Sequence, residues 1–377
     1  MSDVTADGGL GPLADEGAAE GLTFSTTLEP GRVLGLSLKN GLLNLITLTL
    51  YRFWGKTEVR QRVWRGLRLN GESFEYTGRG VELFIGFLLA LLVLGAPFLG
   101  VVFAVQFLGE WFILVAYLPL YLFMFWLWGF GTFAAFRYMA SRTTWRGVRF
   151  QLRGSAASYG FHYLGAVLLS GLTAGWYWPA AERNLAGKIW GGLRFGDRPL
   201  RFRKDRAEAE GVYGAYAIGW IGSLVGYFVA VGAFMAFFIA VGAGMAPTPD
   251  GQTPVPDLVL ILTIYGFMFL IAPFALLLWA PYQAAMLRSV VAGVRLDDAT
   301  FRLKVKAIPL WWLTVTNLFL LLITLGFLMP WAQARTARFL AERLESTGEA
   351  RLDLARQASR GPGSGEGLAD AFGFSAI

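Results

Sequence analysis

Seven apolar segments, at about 33–53, 81–105, 111–135, 161–178, 212–245, 257–280 and 307–329, alternate with short polar stretches. Several reach the ~20 residues that carry a helix across a ~30 Å hydrocarbon core. The first, fourth and seventh share an internal break: Leu45-Ile-Thr-Leu-Thr-Leu-Tyr-Arg-Phe-Trp54, Leu172-Thr-Ala-Gly-Trp-Tyr-Trp-Pro179 and Ile323-Thr-Leu-Gly-Phe-Leu-Met-Pro-Trp331. Thr47, Thr173 and Thr324 coincide in that register, as do Gly175 with Gly326 and Pro179 with Pro330, whereas the first copy carries Thr49 in place of glycine.

The polar stretches predict β-hairpins. Asn70-Gly71 is the pair that best tolerates positive φ at both central turn positions, and Leu67/Leu69 and Phe74/Tyr76 flank it at strand spacing. Similar grammar returns in Trp64-Arg-Gly-Leu-Arg-Leu69, Trp145-Arg-Gly-Val-Arg-Phe150, Trp190-Gly-Gly-Leu-Arg-Phe195 and Val291-Ala-Gly-Val-Arg-Leu296. Four such matches argue for duplication. Up to eight short strands could then meet in one layer, which would stabilise hairpins that are marginal alone.

The run Asn44…Thr47-Leu-Thr-Leu-Tyr-Arg-Phe-Trp54, then Lys56…Arg60, then Phe74-Glu-Tyr-Thr-Gly78…Glu82-Leu83, resembles the YjgN-type family of bacterial inner-membrane proteins. The likeness is specific over about 20–110 and looser to about 345. It implies placement in the inner membrane and an architecture, and it supplies no catalytic residues.

An apolar content of 55% and a mean hydropathy of +0.50 point to a polytopic membrane protein. Met1–Gly21 is acidic and Gly/Ala-rich, with neither the basic start nor the apolar core of a signal peptide. The absence of cysteine excludes disulfides and thiolate chemistry. The net charge of +7 could suggest nucleic acid, but the Lys and Arg residues concentrate in 55–80, 137–153, 182–210, 288–306 and 335–360, beside apolar segments. The tendency of basic loops to stay cytoplasmic explains that distribution without a nucleic-acid partner.

The two connections without Lys or Arg, 106–111 and 246–257, are the natural periplasmic loops. Seven crossings would then place the basic stretches 182–210 and 288–306 outside. The parity resolves if the three broken segments are re-entrant or interfacial and only four helices cross, because broken backbone at membrane depth must be covered by protein.

The expected fold is therefore an all-α polytopic membrane protein with short cytoplasmic β-hairpins, internally duplicated as two units plus a truncated third. The units run 22–156 and 157–305, each with two β-hairpins, then 306–360, which ends in a basic tail helix at about 331–358. Residues 1–21 and 361–377 read as disordered.

Candidate substrate or path residues are Lys39, Asn40, Asn44 and Thr47 in the first segment and Asn317 and Thr324 in the last, because polar groups at membrane depth are expensive. The plainer account is that Lys39 snorkels and the asparagines bond broken helix ends. Arg68, Arg149, Arg194 and Arg295 are candidates for lipid phosphates, or solvated strand residues. His162 stands alone, so no metal site is expected. Phosphate loops, His-Glu-x-x-His and Gly-x-Ser-x-Gly are absent, leaving no catalytic motif and no cofactor.

Duplicated membrane units with broken helices favour transport or handling of a small molecule or lipid. The alternative is a non-catalytic scaffold docking a protein partner, or a second copy of the chain, through its cytoplasmic β-cap. The bilayer itself, with its anionic headgroups, is the remaining expected partner.

Overall fold

The computed structural model describes residues 20–107, 110–207, 211–244, 257–352 and 355–356. Of the ends expected to be disordered, residues 1–19 and 361–377 lie outside these residues, as do most of the two loops expected in the periplasm, whereas Glu20–Gly21, also expected disordered, form a strand because they pair with Glu349–Ala350. Among them the fold is mostly helical with antiparallel sheets.

The β-structure is more closed than a layer of hairpins. Strands β1 (Glu20–Gly21) and β2 (Phe24–Thr26) are two halves of one extended stretch. So are β4 (Glu72–Ser73) and β5 (Glu75–Tyr76), on either side of Phe74, and β12 (Leu344–Thr347) and β13 (Glu349–Ala350), on either side of Gly348. Between them come β3 (Leu67–Leu69), β6 (Thr143–Trp145), β7 (Val148–Leu152), β8 (Leu193–Phe195), β9 (Arg198–Phe202), β10 (Val294–Leu296) and β11 (Ala299–Leu303). Strands β5 to β12 pair antiparallel in chain order, β3 pairs with both β2 and β4, and β1 pairs with β13. The three shared stretches join these ladders into a closed up-and-down ring of ten extended segments, which removes the free edges an open sheet would expose.

Alternation along the strands fills the ring. Leu22, Leu69, Trp145, Phe195, Leu200, Val294, Leu296, Ala299 and Ala350 form one buried cluster, with Phe24, Phe74, Phe150 and Phe301 packed on it. The rings of Phe150 and Phe195 stand 5.0 Å apart, and Phe24 meets Phe301 at 6.0 Å. One mouth of the barrel carries the four tight turns. Asn70-Gly71 and Arg146-Gly147 both take positive φ (50° and 82°; 48° and 74°), as the twist of a two-residue hairpin demands. Leu352, in the segment after β13, is buried against the same cluster. The Arg351 amide donates to Asp297 Oδ2 (3.2 Å) and the Arg356 amide to Asp197 Oδ1 (3.1 Å), so this segment crosses that mouth between two turns.

From the opposite mouth rise five helical hairpins, each leaving one strand and returning to the next. Three are short: α1 (Pro30–Ile46) with α2 (Arg52–Gly66), α6 (Ala156–Leu172) with α7 (Trp178–Gly192), and α11 (Ala307–Ile323) with α12 (Met329–Ala341). Two are long. In the first, α3 (Gly80–Ala90), a π-turn (Leu91–Gly95) and α4 (Ala96–Val105) run to α5 (Glu110–Arg142). In the second, after the single turn α8 (Lys204–Ala207), α9 (Val212–Gly244) runs to α10 (Asp257–Gly293). The π-turn ends two residues before Pro97, which has no amide hydrogen to donate.

One hydrogen bond clamps the base of every helical hairpin. The amide of the residue closing each incoming strand donates to the carbonyl where the returning helix ends: Thr27 to Gly66, Thr77 to Arg142, Arg153 to Gly192, Arg203 to Gly293 and Lys304 to Arg343, all at 2.8–2.9 Å. The architectural unit is thus strand, helical hairpin, strand, used five times around the ring. The sequence boundaries 156/157 and 305/306 fall after β7 and β11, so each of the first two units holds one short and one long hairpin.

The long hairpins supply the membrane-length helices. Tyr117–Arg142, Val212–Phe237 and Ile261–Gly293 are long and apolar enough to cross a bilayer. Helices α9 and α10 pack closely where Gly222 meets Leu278 and Trp279 donates to Ser223 Oγ (2.8 Å). The helix Gly80–Val105 is apolar along its length but divided by the π-turn.

Two expectations need correction. The tail helix ends at Ala341: Leu344–Thr347 pairs with β11 instead, and that ladder, with Gly348 at φ +88°, outweighs the helical propensity of Glu342–Glu345. The hairpin match at Trp145–Phe150 is out of register with the other three. Gly66, Gly192 and Gly293 end helices that lead into a first strand, whereas Gly147 is the turn itself, and the strand equivalent to β3 is β6.

Candidate functional site

The three short hairpins turn at one kind of corner, and its chemistry resides in the threonine. Thr47 Oγ1 donates to Leu43 O (2.7 Å), ending α1, and accepts from the Tyr51 amide (3.0 Å), starting α2. Thr173 repeats both bonds (2.8 and 3.0 Å), and so does Thr324 (2.7 and 3.4 Å). Backbone bonds from Thr49 to Asn44 O, Gly175 to Ser170 O and Gly326 to Leu321 O complete the six-residue closure that ends many helices. Thr49 sits at φ +71° where its counterparts are glycine at +93° and +82°, so the first corner makes the same turn with a β-branched residue in the left-handed region. The corners carry apolar side chains outward: Leu48, Leu172 and Leu325 are each at least 84% exposed.

Placing the corner threonines in register makes the two limbs of each hairpin comparable. Eight residues before the threonine stand Lys39, Gly165 and Thr316; eleven after it stand Glu58, Asn184 and Arg335. These positions face each other across the limbs. In the first hairpin Lys39 Nζ pairs with Glu58 (3.0 and 3.1 Å), and the Tyr51 hydroxyl donates to the same carboxylate (3.1 Å). In the third, Arg335 Nη1 donates to Thr316 Oγ1 (2.8 Å) and Asn317 Oδ1 (3.2 Å), while Asn317 Nδ2 donates to Thr336 Oγ1 (3.2 Å). In the second, Gly165 has nothing within 4 Å of where a Cβ would stand, and the space between the limbs stays open.

That space is a cleft of ≈ 600 Å³ between α6 and α7. Its contents are ordered along the hairpin. Leu169, Tyr177 and Ala181 line the corner end, Gly165, Ala166 and Asn184 the middle, and His162, Lys188, Phe202 and Lys204 the end at the barrel rim. His162 Nδ1 bonds Ser158 O (2.7 Å); a carbonyl only accepts, so Nδ1 is the donor, and in the neutral ring Nε2 is the acceptor.

The candidates named from the sequence do not meet in this cleft. Asn40, 3% exposed, donates to Gly55 O (3.3 Å) while its own carbonyl oxygen is buried without a partner. Asn44 Oδ1 and, at the equivalent position, Ser170 Oγ are buried and unpartnered as well. The hydrogen bonds of Lys39, Asn40 and Thr47 stay within the first hairpin, and those of Asn317 and Thr324 within the third. The two hairpins touch where Gly41 meets the Phe327 ring.

The four arginines alternate along their strands with residues that are buried in, or packed partly buried against, the core clusters. Arg68, Arg194 and Arg295 each occupy the second position below the helical rim. Arg149 sits at the turn end instead, because its motif is the shifted one; Gln151 takes the level of Arg194, with which it pairs. The cleft residues Gly165, Asn184, Lys188 and Lys204 went unmarked by sequence reasoning. The signal available was the threonine register, which sets Gly165 against two polar counterparts.

Glu182, on α7, accepts the Tyr282 hydroxyl. Burial raises its carboxyl above the ordinary range, against the opposing pull of hydrogen bonds from Tyr282 and Trp178.

A family model described as a bacterial protein of unknown function (DUF898) matches residues 22–371. No curated protein and no solved structure matches the chain.

Proposed function

From the premise that the chain belongs to this bacterial family of unknown function, we propose that it is a multi-pass inner-membrane protein that handles a lipid or other amphiphilic small molecule, without catalysis. The YjgN-type likeness points the same way. In this reading the barrel and its basic rim lie in the cytoplasm, and four helices cross the bilayer: Gly80–Val105 and the three membrane-length helices. The three short hairpins enter and leave on the cytoplasmic side. Their first helices, of 17 residues, extend ~26 Å at 1.5 Å per residue and turn back at apolar corners, whereas α9 runs ~50 Å. Two full units and a truncated third, related by duplication, account for the short–long alternation.

The observation that carries the reading is the cleft in the second short hairpin, apolar toward the corner and polar at the rim. Lys39, Asn40, Thr47, Asn317 and Thr324 then hold hairpins together through their side chains, Asn44 contributes its backbone carbonyl to the first corner, and the residues around Gly165 meet the ligand. The scaffold alternative loses its simplest docking mode, since closure of the barrel removes the edge to which a partner strand would add.

The test uses the full chain extracted from membranes. Gly165→Leu projects a side chain into the cleft from a position where a Cβ meets nothing within 4 Å, and amphiphiles that co-purify with the parent protein are expected to fall at least fivefold in its extract. An unchanged lipid complement in the variant would refute the reading. Cysteines introduced singly into this cysteine-free chain at 195 and 345 are expected to label only from the cytoplasm, and 250 only from outside; labelling of 195 from outside would overturn the topology.

A further inference from the structure

The cleft has a polarity as well as a volume. At its rim end stand Lys188 and Lys204, both exposed, and no lining residue is acidic. Among the described residues neither lysine has an ion-pair partner, whereas Arg203 on the same connection is held by Asp205 at 2.6 Å and Arg198 on β9 faces Asp297 at 3.7 Å. The cleft therefore offers two uncommitted ammonium groups at one level, beside the Asn184 amide and the free Nε2 of His162. Beyond them only apolar and aromatic walls continue toward the corner. An amphiphile lying in this groove puts an anionic head at the barrel rim and a chain toward the bilayer centre, which is the orientation of a lipid in the cytoplasmic leaflet.

We propose that the cleft binds an anionic glycerophospholipid, its phosphodiester between Lys188 and Lys204, a headgroup hydroxyl donating to His162 Nε2, and one acyl chain along Leu169 and Tyr177. Charge selects the class. Two ammonium groups favour a net negative head over a zwitterionic one, whose own ammonium they would repel. The groove selects the lipid over its free headgroup, because burying each methylene of the chain adds about 0.8 kcal/mol. This inference rests on the handling of an amphiphile proposed above and adds the identity of its head.

The experiment titrates the full-length protein in a neutral detergent with phosphatidylglycerol, with phosphatidylcholine of the same chains, and with glycerol 3-phosphate, counting bound lipid by native mass spectrometry. Phosphatidylglycerol is expected to bind at least tenfold more tightly than phosphatidylcholine, and glycerol 3-phosphate to show no binding at the same concentrations. The double variant K188Q/K204Q should bring phosphatidylglycerol down to the phosphatidylcholine level. Gly165→Leu should weaken both lipids. If K188Q/K204Q keeps the anionic preference while Gly165→Leu weakens both lipids, the headgroup assignment fails and amphiphile handling stands. If Gly165→Leu changes neither lipid, both fail together. Binding of glycerol 3-phosphate as tight as that of the lipid would overturn the assignment in favour of a soluble phosphate ester.

Discussion

The first and second short hairpins share a corner, a length and a basal clamp, yet one is closed by an ion pair and the other holds a cleft. The difference lies in two positions. Lys39 and Glu58 reach across the limbs and meet; Gly165 and Asn184 do not. Because the Thr47 and Thr173 hydroxyls already fix the turn and the amides of Thr27 and Arg153 fix the base, the limbs keep their spacing whatever fills the gap. The backbone of these hairpins is thus specified at its ends, which leaves the middle available for function.

Substitutions test this division of labour, beginning with the strongest. Gly175→Thr imposes on the second corner what Thr49 imposes on the first. It costs about 1–2 kcal/mol for the left-handed backbone, and more here, since a Cβ would come within 3.0 Å of the Tyr216 hydroxyl. Thermal unfolding in detergent should record a loss of about 2 kcal/mol or more, and a neutral result would mean that the corner does not hold the hairpin. Next, the pair Gly165→Lys with Asn184→Glu writes the first hairpin's ion pair into the second; lipid binding is expected to fall about tenfold, or about 1.4 kcal/mol, at unchanged stability.

The reverse change at the first corner, Thr49→Gly, relieves φ +71° but adds glycine's flexibility to the unfolded chain. The net expectation is a gain of about 0.5–1 kcal/mol in the same unfolding measurement. Lys39→Ala should change stability least of these substitutions, because that ion pair is half exposed and screened by water; a loss as large as that of Gly175→Thr would show Lys39 in a role beyond closing the limbs.

The smallest effect concerns Glu182, which stands where the first hairpin has Lys56 and the third Gln333. Its carboxyl is raised by burial, so the folded state holds a proton that the unfolded state has released, and stability declines as pH climbs above 4.5. Glu182→Gln should flatten that slope above pH 4.5. A slope unchanged in the variant would assign the dependence to another group.

Much of this was legible in the chain. Thr47, Thr173 and Thr324 announced three equivalent breaks, and Asn70-Gly71 a tight turn, because each rests on local bonds within about six residues. The pairing of Lys39 with Glu58 was not, since it depends on the limbs being antiparallel and in a particular register. Trp145–Phe150 misled because a helix end and a two-residue turn both favour glycine followed by alternating strand residues; the letters agree while the backbone does not. The closing of the barrel left least trace. Its seam joins Glu20–Gly21 to Glu349–Ala350, and strands of two residues carry no period.

That seam also sets an order of events. The stretch Glu20–Thr26 is among the first parts of the barrel to be synthesised, yet its partner β13 emerges some 330 residues later. At 5–20 residues per second the ribosome takes roughly 15–65 s to supply it. Meanwhile all five helical hairpins are synthesised and the growing sheet keeps an open edge. The barrel can therefore close only after the last of the five helical hairpins has been made.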